Sequence, residues 1–369
     1  MSRQVQIDYQ QIGIQCQCTC EVAEARLKEF EDLLLKLQET SGSIIDERAL
    51  ELKKMIEQEK NNLINQINDV RMKAQKDAEL GIVTLDDQDN RYMHRNDAVL
   101  AAQNLQRTAD IMASEKLIEF RSLLTVLLGE SISENYRKMR ERGRGVITLD
   151  SETQSVLDGI ADSTLRQFTY IAYLRDNTLA KEKLIEAGKA LMDKSLNETY
   201  ESRLAEEEAK IRAELEEARV ERQIVGKVMG ATGSAKEKLV AIRQAATQEI
   251  VGEKIRQKTL KVIIEAIKKR GFIVDKKNIK IQRDTNEVVA VGLKASGETA
   301  KFRVFTDGKF IYDFHGYEGQ ACLKDIDPFM HDLEDVYGIK VVSRTEIWSN
   351  PDKISTMKYQ AVNTNKNKK

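Results

Sequence analysis

Apolar and polar positions alternate along the first twenty residues. Val5, Ile7 and Tyr9 hold one phase, and Ile12, Ile14, Cys16, Cys18 and Cys20 hold the other. A period of two marks extended chain, whose side chains point to opposite faces in turn. The phase change at Gln10 and Gln11 predicts a bulge or tight turn. Residues 1–20 therefore read as an N-terminal strand, and its unpaired edges require a partner. Two partners are open: the C-terminal sheet or a second protomer.

Beyond residue 20 the apolar period lengthens to that of a helix. Leu27, Phe30, Leu33, Leu34 and Leu37 form one seam, closed by Ser41-Gly42-Ser43. Further helices are expected from about Asp46 to Glu79, from about Asn90 to Leu128 and around 132–142. From Ser151 to about Met229 no strong breaker occurs, so the pattern predicts one long helix capped by Asp150 or Ser151. Its stretch 201–225 carries a weak heptad seam of Leu204, Ile211, Leu215, Ala218 and Val225. Interleaved Glu206, Glu207, Glu208, Glu214, Lys210, Arg212 and Arg219 suit a solvated face. Gly230 to Lys236 has the look of a phosphate loop but lacks the G-x-x-x-x-G-K-[ST] spacing, and it reads as an interhelix break. A last helix spans roughly 235–270.

Strand patterns return at 279–283, 287–294 and 299–305, and Thr306-Asp307-Gly308 makes a hairpin turn into 309–314. Asp327-Pro328 reads as an N-cap followed by proline at the first helical position. Phe329, Leu333 and Val336 give that helix an apolar face, and 339–342 returns as a strand. The fold class is mainly α with a C-terminal α+β domain: a long helical hairpin or coiled-coil region, then a small antiparallel sheet with a helix. The divisions are an N-terminal strand (1–20), a helical region (21–232), a connecting basic helix (233–270), the α+β domain (271–350) and a disordered polar tail (351–369).

Composition sharpens this picture. The chain has 369 residues and only two prolines, where average usage gives roughly 18. Both fall late, at Pro328 and Pro351. Of the 20 aromatic residues, half lie within 271–350, which concentrates bulky core there. The formal net charge is −1, which argues against a chain that coats nucleic acid or membrane. No apolar run is long enough to cross a bilayer, and the N-terminus has no secretory pattern. A cytoplasmic chain with reduced cysteines is expected.

Few residues offer chemistry. Cys16, Cys18 and Cys20, on one strand face, supply metal-binding thiolates, although C-x-C-x-C is not the zinc spacing and small apolar core residues fit better. His315, Glu318 and Cys322 share one loop with two glycines. They allow a thiolate–imidazole pair with an orienting carboxylate, or simply a tight loop over a buried cysteine. His94 and His331 stand alone. Lys254, Lys258, Lys261, Lys268, Lys269 and Arg270 make the last long helix basic, suited to phosphates, an acidic partner or water. No cofactor is indicated.

The segment Val304 to Trp348 resembles a small uncharacterised bacterial family. Asp307-Gly308, Tyr312, the loop Gly316-Tyr317-Glu318-Gly319-Gln320-Ala321-Cys322, then Leu333, Gly338 and Glu346 carry the likeness. Members share a G-[YF]-x-G-x-x-C loop between strand and helix and are encoded beside MoxR-type AAA+ ATPases. The resemblance implies a component of an ATPase-linked bacterial system, of the anti-phage or conflict kind. The expected function is a non-enzymatic scaffold or adapter. It would oligomerise or grip protein partners through its helices and dock through the C-terminal domain. The alternatives are a nucleic-acid-associated structural protein using helix 254–270, and a thiol-dependent enzyme centred on Cys322 and His315.

Overall fold

The structure, a computed structural model, describes residues 2–10, 12–40, 46–80, 88–131, 134–143, 147–282, 285–306, 309–317, 321–336 and 340–350. The chain is mainly α with a C-terminal α+β domain, and no helix among the described residues is long and apolar enough to cross a membrane.

The N-terminal strand β1 runs Ser2–Gln10 and stops there, not at residue 20. Helix α1 begins at Ile12 and continues to Thr40. The alternation over residues 12–20 is two helical seams laid over each other. Cys16, Cys20 and Ala23 enter one apolar core, while Cys18 and Val22 enter another. A helix buried on two sides repeats apolar residues at i, i+2 and i+4, which mimics a strand. Here tertiary packing, not strand geometry, produces the pattern.

Helices α2 (Asp46–Leu80) and α3 (Gln88–Ile111) follow. A π-turn, Met112–Lys116, joins α3 to α4 (Leu117–Ser131). The short α5 is Glu134–Arg142.

The long helix expected over 151–229 is four helices: α6 (Ser151–Asp158), α7 (Ser163–Arg175), α8 (Lys181–Glu217) and α9 (Arg222–Met229). Aspartates start two of them. The Asp150 side chain accepts the Thr153 N–H at 2.8 Å, and the Asp162 side chain accepts the Leu165 N–H at 3.0 Å. The end of α8 is a Schellman turn, in which Arg219 N–H donates to the Glu216 carbonyl and Val220 N–H to the Leu215 carbonyl. Arg219 takes φ of 66° there, a left-handed conformation that glycine ordinarily supplies. The heptad-like residues Ile211, Leu215 and Val225 therefore pack within this chain's own core.

Helices α7 and α8 cross closely at Gly188. A Cβ built there would lie 2.7 Å from the Thr169 Cα. Gly188→Ala is expected to cost about 1–3 kcal/mol by overpacking, measured as a lower midpoint of denaturant unfolding.

Helix α10, Ala235–Lys269, starts with a capping box between Ser234 and Glu237. Its 35 residues span about 52 Å. Leu239, Ile242, Ala246 and Ile250 pack in the helical body, while Ile263, Ala266 and Ile267 pack beneath the sheet. One helix thus joins the two regions. Gly271, at φ 81°, ends it.

The strands β2 (Ile279–Gln282), β3 (Glu287–Leu293), β4 (Thr299–Val304) and β5 (Lys309–His315) form an antiparallel meander. Helix α11 (Leu323–His331) and a π-turn (Asp332–Val336) precede β6 (Lys340–Asn350). The sheet has six strands in the order β2-β3-β4-β5-β1-β6, so the N-terminal strand is interior and pairs with both β5 and β6. The helical body is an excursion between the first and second strands of one sheet. Phe302, Phe310, Tyr312, Phe314 and Phe329 fill the core between sheet and helices, with Phe302 and Phe329 ring centroids 5.2 Å apart.

Pro328 lies inside α11 rather than at its first position, because the helix already begins at Leu323 with Cys322 as N-cap. The Thr306 turn's Asp307 and Gly308, Gly338 and the tail 351–369 lie outside the described residues.

Candidate functional site

The family-like loop is built around a buried anchor. Tyr317 O–H donates to Asp325 Oδ2 at 2.6 Å, and Lys294 Nζ meets the same oxygen at 2.6 Å. Lys294 also sits 4.7 Å over the Phe272 ring. Burial and the bond to Asp325 push the Tyr317 phenol well above its ordinary range. Gly316, at φ 86°, passes close to the 297–298 turn, where its missing side chain permits the approach. Glu318 and Gly319 lie outside the described residues.

Cys322 is fully buried in the aromatic core, and His315, 45% exposed, places Nε2 2.8 Å from Asp313 Oδ2. The imidazole is engaged on its own strand, and the thiol faces apolar side chains. A nucleophile needs contact with solvent or substrate, so this arrangement fits the tight-loop reading.

The three N-terminal cysteines do not share a strand face. Cys16 Sγ donates to the Ala98 carbonyl at 3.7 Å and Cys20 Sγ to the Ile67 carbonyl at 3.9 Å. Cys18 turns toward α10, where burial pushes its thiol up against the opposing charge of Lys258. Burial likewise pushes the Cys20 thiol up. No group of three or more metal-ligating side chains is found among the described residues.

Half of the basic face of α10 is engaged within the chain by the contacts below. Lys254 and Lys258 reach Glu21 at 3.2 and 2.9 Å, tying α10 to α1. Arg270 bonds Asp332 and the Pro328 carbonyl. Lys261, Lys268 and Lys269 are exposed. His331 is exposed on α11, and the His94 side chain lies outside the described residues.

The most unusual site was invisible in the spacing. Glu207 and Glu214, read as part of a solvated face, lie against a buried charge network instead. Arg243, 1% exposed, reaches Glu214 Oε2 at 3.0 Å and Glu207 Oε2 at 3.4 Å. Arg26, 3% exposed, meets Glu214 at 2.7 Å and Glu29 at 2.8 Å. Arg121 meets Glu207 at 2.8 Å. Helices α1, α4, α8 and α10 are thereby joined through four helices' worth of charge. Burial alone would raise the carboxyls, but the Arg26 hydrogen bond and the Arg243 charge hold Glu214 down to about 2. The charges of Arg121 and Lys210 overcome burial at Glu207 and lower it too.

Asp110 sits beside this network at the π-turn. Thr247 O–H donates to its carboxylate at 2.5 Å, and Ser114 O–H donates to its carbonyl at 2.7 Å. Tyr200 O–H from α8 closes the joint on the Ser114 carbonyl at 3.0 Å. Burial pushes Asp110 up to about 6, against the pull of Arg26 and Arg243. Its raised value means that the fold favours the neutral acid. Stability from this group is complete below its unfolded value of about 3.9 and is lost as pH rises through about 6. Asp110→Asn should abolish that dependence, making the variant gain about 3 kcal/mol on wild type between about pH 4 and pH 7. Denaturant midpoints across pH check this, and parallel pH curves for the two proteins would refute it.

A cleft of about 450 Å³ lies between α9, α10 and the β2–β3 turn, lined in part by Lys227, Val228, Glu249 and Asn286. Arg256 holds the turn by donating to the Asn286 carbonyl at 2.7 Å. Against known proteins, no family model matches this chain, and neither a curated protein nor a solved structure matches it.

Proposed function

We propose that the protein is a non-enzymatic adapter that grips a protein partner through α1–α3 and docks through its C-terminal α+β domain. The observation that supports this reading most is the groove between α2 and α3. It is lined by Asp69, Lys73, Asp97, Asn104 and Leu100, and Leu100 is 54% exposed within it. Leu35, Leu50 and Met72 are also more than half exposed on α1 and α2. Exposed apolar side chains rimmed by charge mark an interaction surface. The cysteines, by contrast, are all buried, which suits a chain whose thiols pack.

The resemblance of the Val304–Trp348 segment supplies the partner class to try first, a MoxR-type AAA+ ATPase from the same genome. The test is affinity purification of the tagged full chain with that ATPase, beside a Leu100→Glu variant. The adapter reading expects co-purification that Leu100→Glu abolishes while the unfolding midpoint stays unchanged. Self-association is measured in the same samples by light scattering. A Cys322→Ser variant that loses biological activity while keeping its fold would favour the thiol enzyme instead.

A further inference from the structure

The six-stranded sheet ends in two unlike edges. At one end β2 has four residues, with Lys280 among them. A short strand carrying lysine is a protected edge. At the other end β6 has 11 residues, with no proline and no lysine after Lys340. One side of β6 pairs with β1, and among the described residues no strand pairs with the other side. Such an edge presents a row of backbone N–H and C=O groups to a further strand.

The register places the charges of this strand. Arg344 stands opposite Ile7, and Glu346 opposite Val5. Ile7 and Val5 stand in turn opposite Phe310 and Tyr312, so Arg344 and Glu346 fall in rows of the core face. Register shifts between Gln4 and Val5 and between Asp8 and Tyr9 make Ile347 and Val342 extra residues of β6, and positions 343–346 pair regularly between them. Charges in core-face rows ordinarily keep a foreign strand off an edge. The exception is a strand that presents the opposite charge at each of those positions.

β6 of a second copy is such a strand, in one antiparallel register. With a two-fold axis at Thr345, Arg344 falls opposite Glu346 of the second copy, Glu346 opposite its Arg344, and Thr345 opposite Thr345. Unlike charges and paired threonines are both favourable cross-strand neighbours. Moving the axis one residue, to Arg344 or to Glu346, sets a like charge against itself. Parallel pairing in register does the same.

We infer that β6 pairs with β6 of a second copy of this chain about a two-fold axis at Thr345, so that the two six-stranded sheets run on as one. The interface is isologous, with positions 343–347 contributed by each copy. A run this short makes a weak dimer, with a dissociation constant on the order of 10 μM. The inference stands apart from the partner groove on α2 and α3: co-purification with an ATPase can succeed or fail whether or not the sheets pair.

The test measures the mass of the full chain by sedimentation and light scattering from about 1 to about 300 μM. Wild type should pass from monomer to dimer over this range. Arg344→Glu alone and Glu346→Arg alone each set like charges opposite at two places and should weaken the dimer about ten-fold or more. Mixed together, these two variants set unlike charges opposite again and should form a mixed dimer, read with one of them tagged. If circular dichroism shows a single reversal unfolded, the double variant Arg344→Glu, Glu346→Arg serves, because it keeps one charge of each sign. It should dimerise with itself and exclude wild type, whose strand meets it like charge against like. A monomer at about 300 μM overturns the inference, the result that cover of this edge by residues 351–369 of the same chain would give. So do single reversals that dimerise as wild type does, reversals that stay apart when mixed, or a double variant that pairs freely with wild type.

Discussion

Deletion of residues 2–10 is expected to unfold the C-terminal sheet while leaving most of the helical signal. The strand removed is interior, with β5 on one side and β6 on the other. Its loss exposes the full edge of β5 and separates β6 from the rest of the sheet. Val5 and Ile7 stand in register with Tyr312 and Phe310, both fully buried core residues. Domain stabilities are about 5–15 kcal/mol, and losing two strand interfaces together with their cover removes a large part of that. Far-UV circular dichroism should keep its helical minima. A separate low-temperature transition of the sheet should disappear, and proteolysis should begin within 271–350. A shortened chain that melts as the full one does would contradict this.

Arg243→Ala is the second large effect, expected to cost about 3–5 kcal/mol. The side chain is 1% exposed and reaches two carboxylates on α8. Removing it leaves Glu207, itself 1% exposed, with Arg121 and Lys210, and Glu214 with Arg26 alone. A buried pair stripped of one member retains a desolvated charge, which is the source of the cost. Arg243→Met with Glu207→Leu should recover much of the loss, since apolar replacements of similar volume need no partner. The pH profile carries a further mark. Glu214 is held at about 2, so its contribution is present above the unfolded value of about 4.3 and is lost as pH falls through about 2. Arg243→Ala should shift the acid unfolding of the protein upward, read by fluorescence or circular dichroism.

The fold class was legible because helical and extended periods differ so plainly along this chain. The four strands β2–β5 fell within about a residue of their expected bounds, since β4 alternates strictly, the others are rich in β-branched and aromatic residues, and turns bound each of them. Two kinds of signal misled. At Cys16, Cys18 and Cys20, a helix buried on two sides reproduced strand alternation. Between Ser151 and Met229, the absence of proline hid three breaks. Asp162 caps a helix just after Gly159, a glycine that read as isolated, and Arg219 adopts a conformation that gave no composition signal. The pairing of β1 required knowledge of the distant C-terminus, which no local pattern holds. The charge network was hidden for the same reason. Glu207 and Glu214 obey the spacing of a solvated helix, and only Arg26 and Arg243, on other helices, show that they are drawn into a buried charge network. His315 and Cys322 lie close in sequence, yet one ends β5 beside Asp313 and the other packs in the core.

The account rests on one topological statement: the first strand of the chain lies inside the last sheet, and the helical body is an excursion between them. Amide hydrogen exchange of the intact protein tests it directly. The amides of residues 3–8 should open with the same free energy as those of β4 and β5, because all belong to one cooperative sheet. Exchange of residues 3–8 at the rate of unstructured chain, with β4 and β5 still protected, would contradict it.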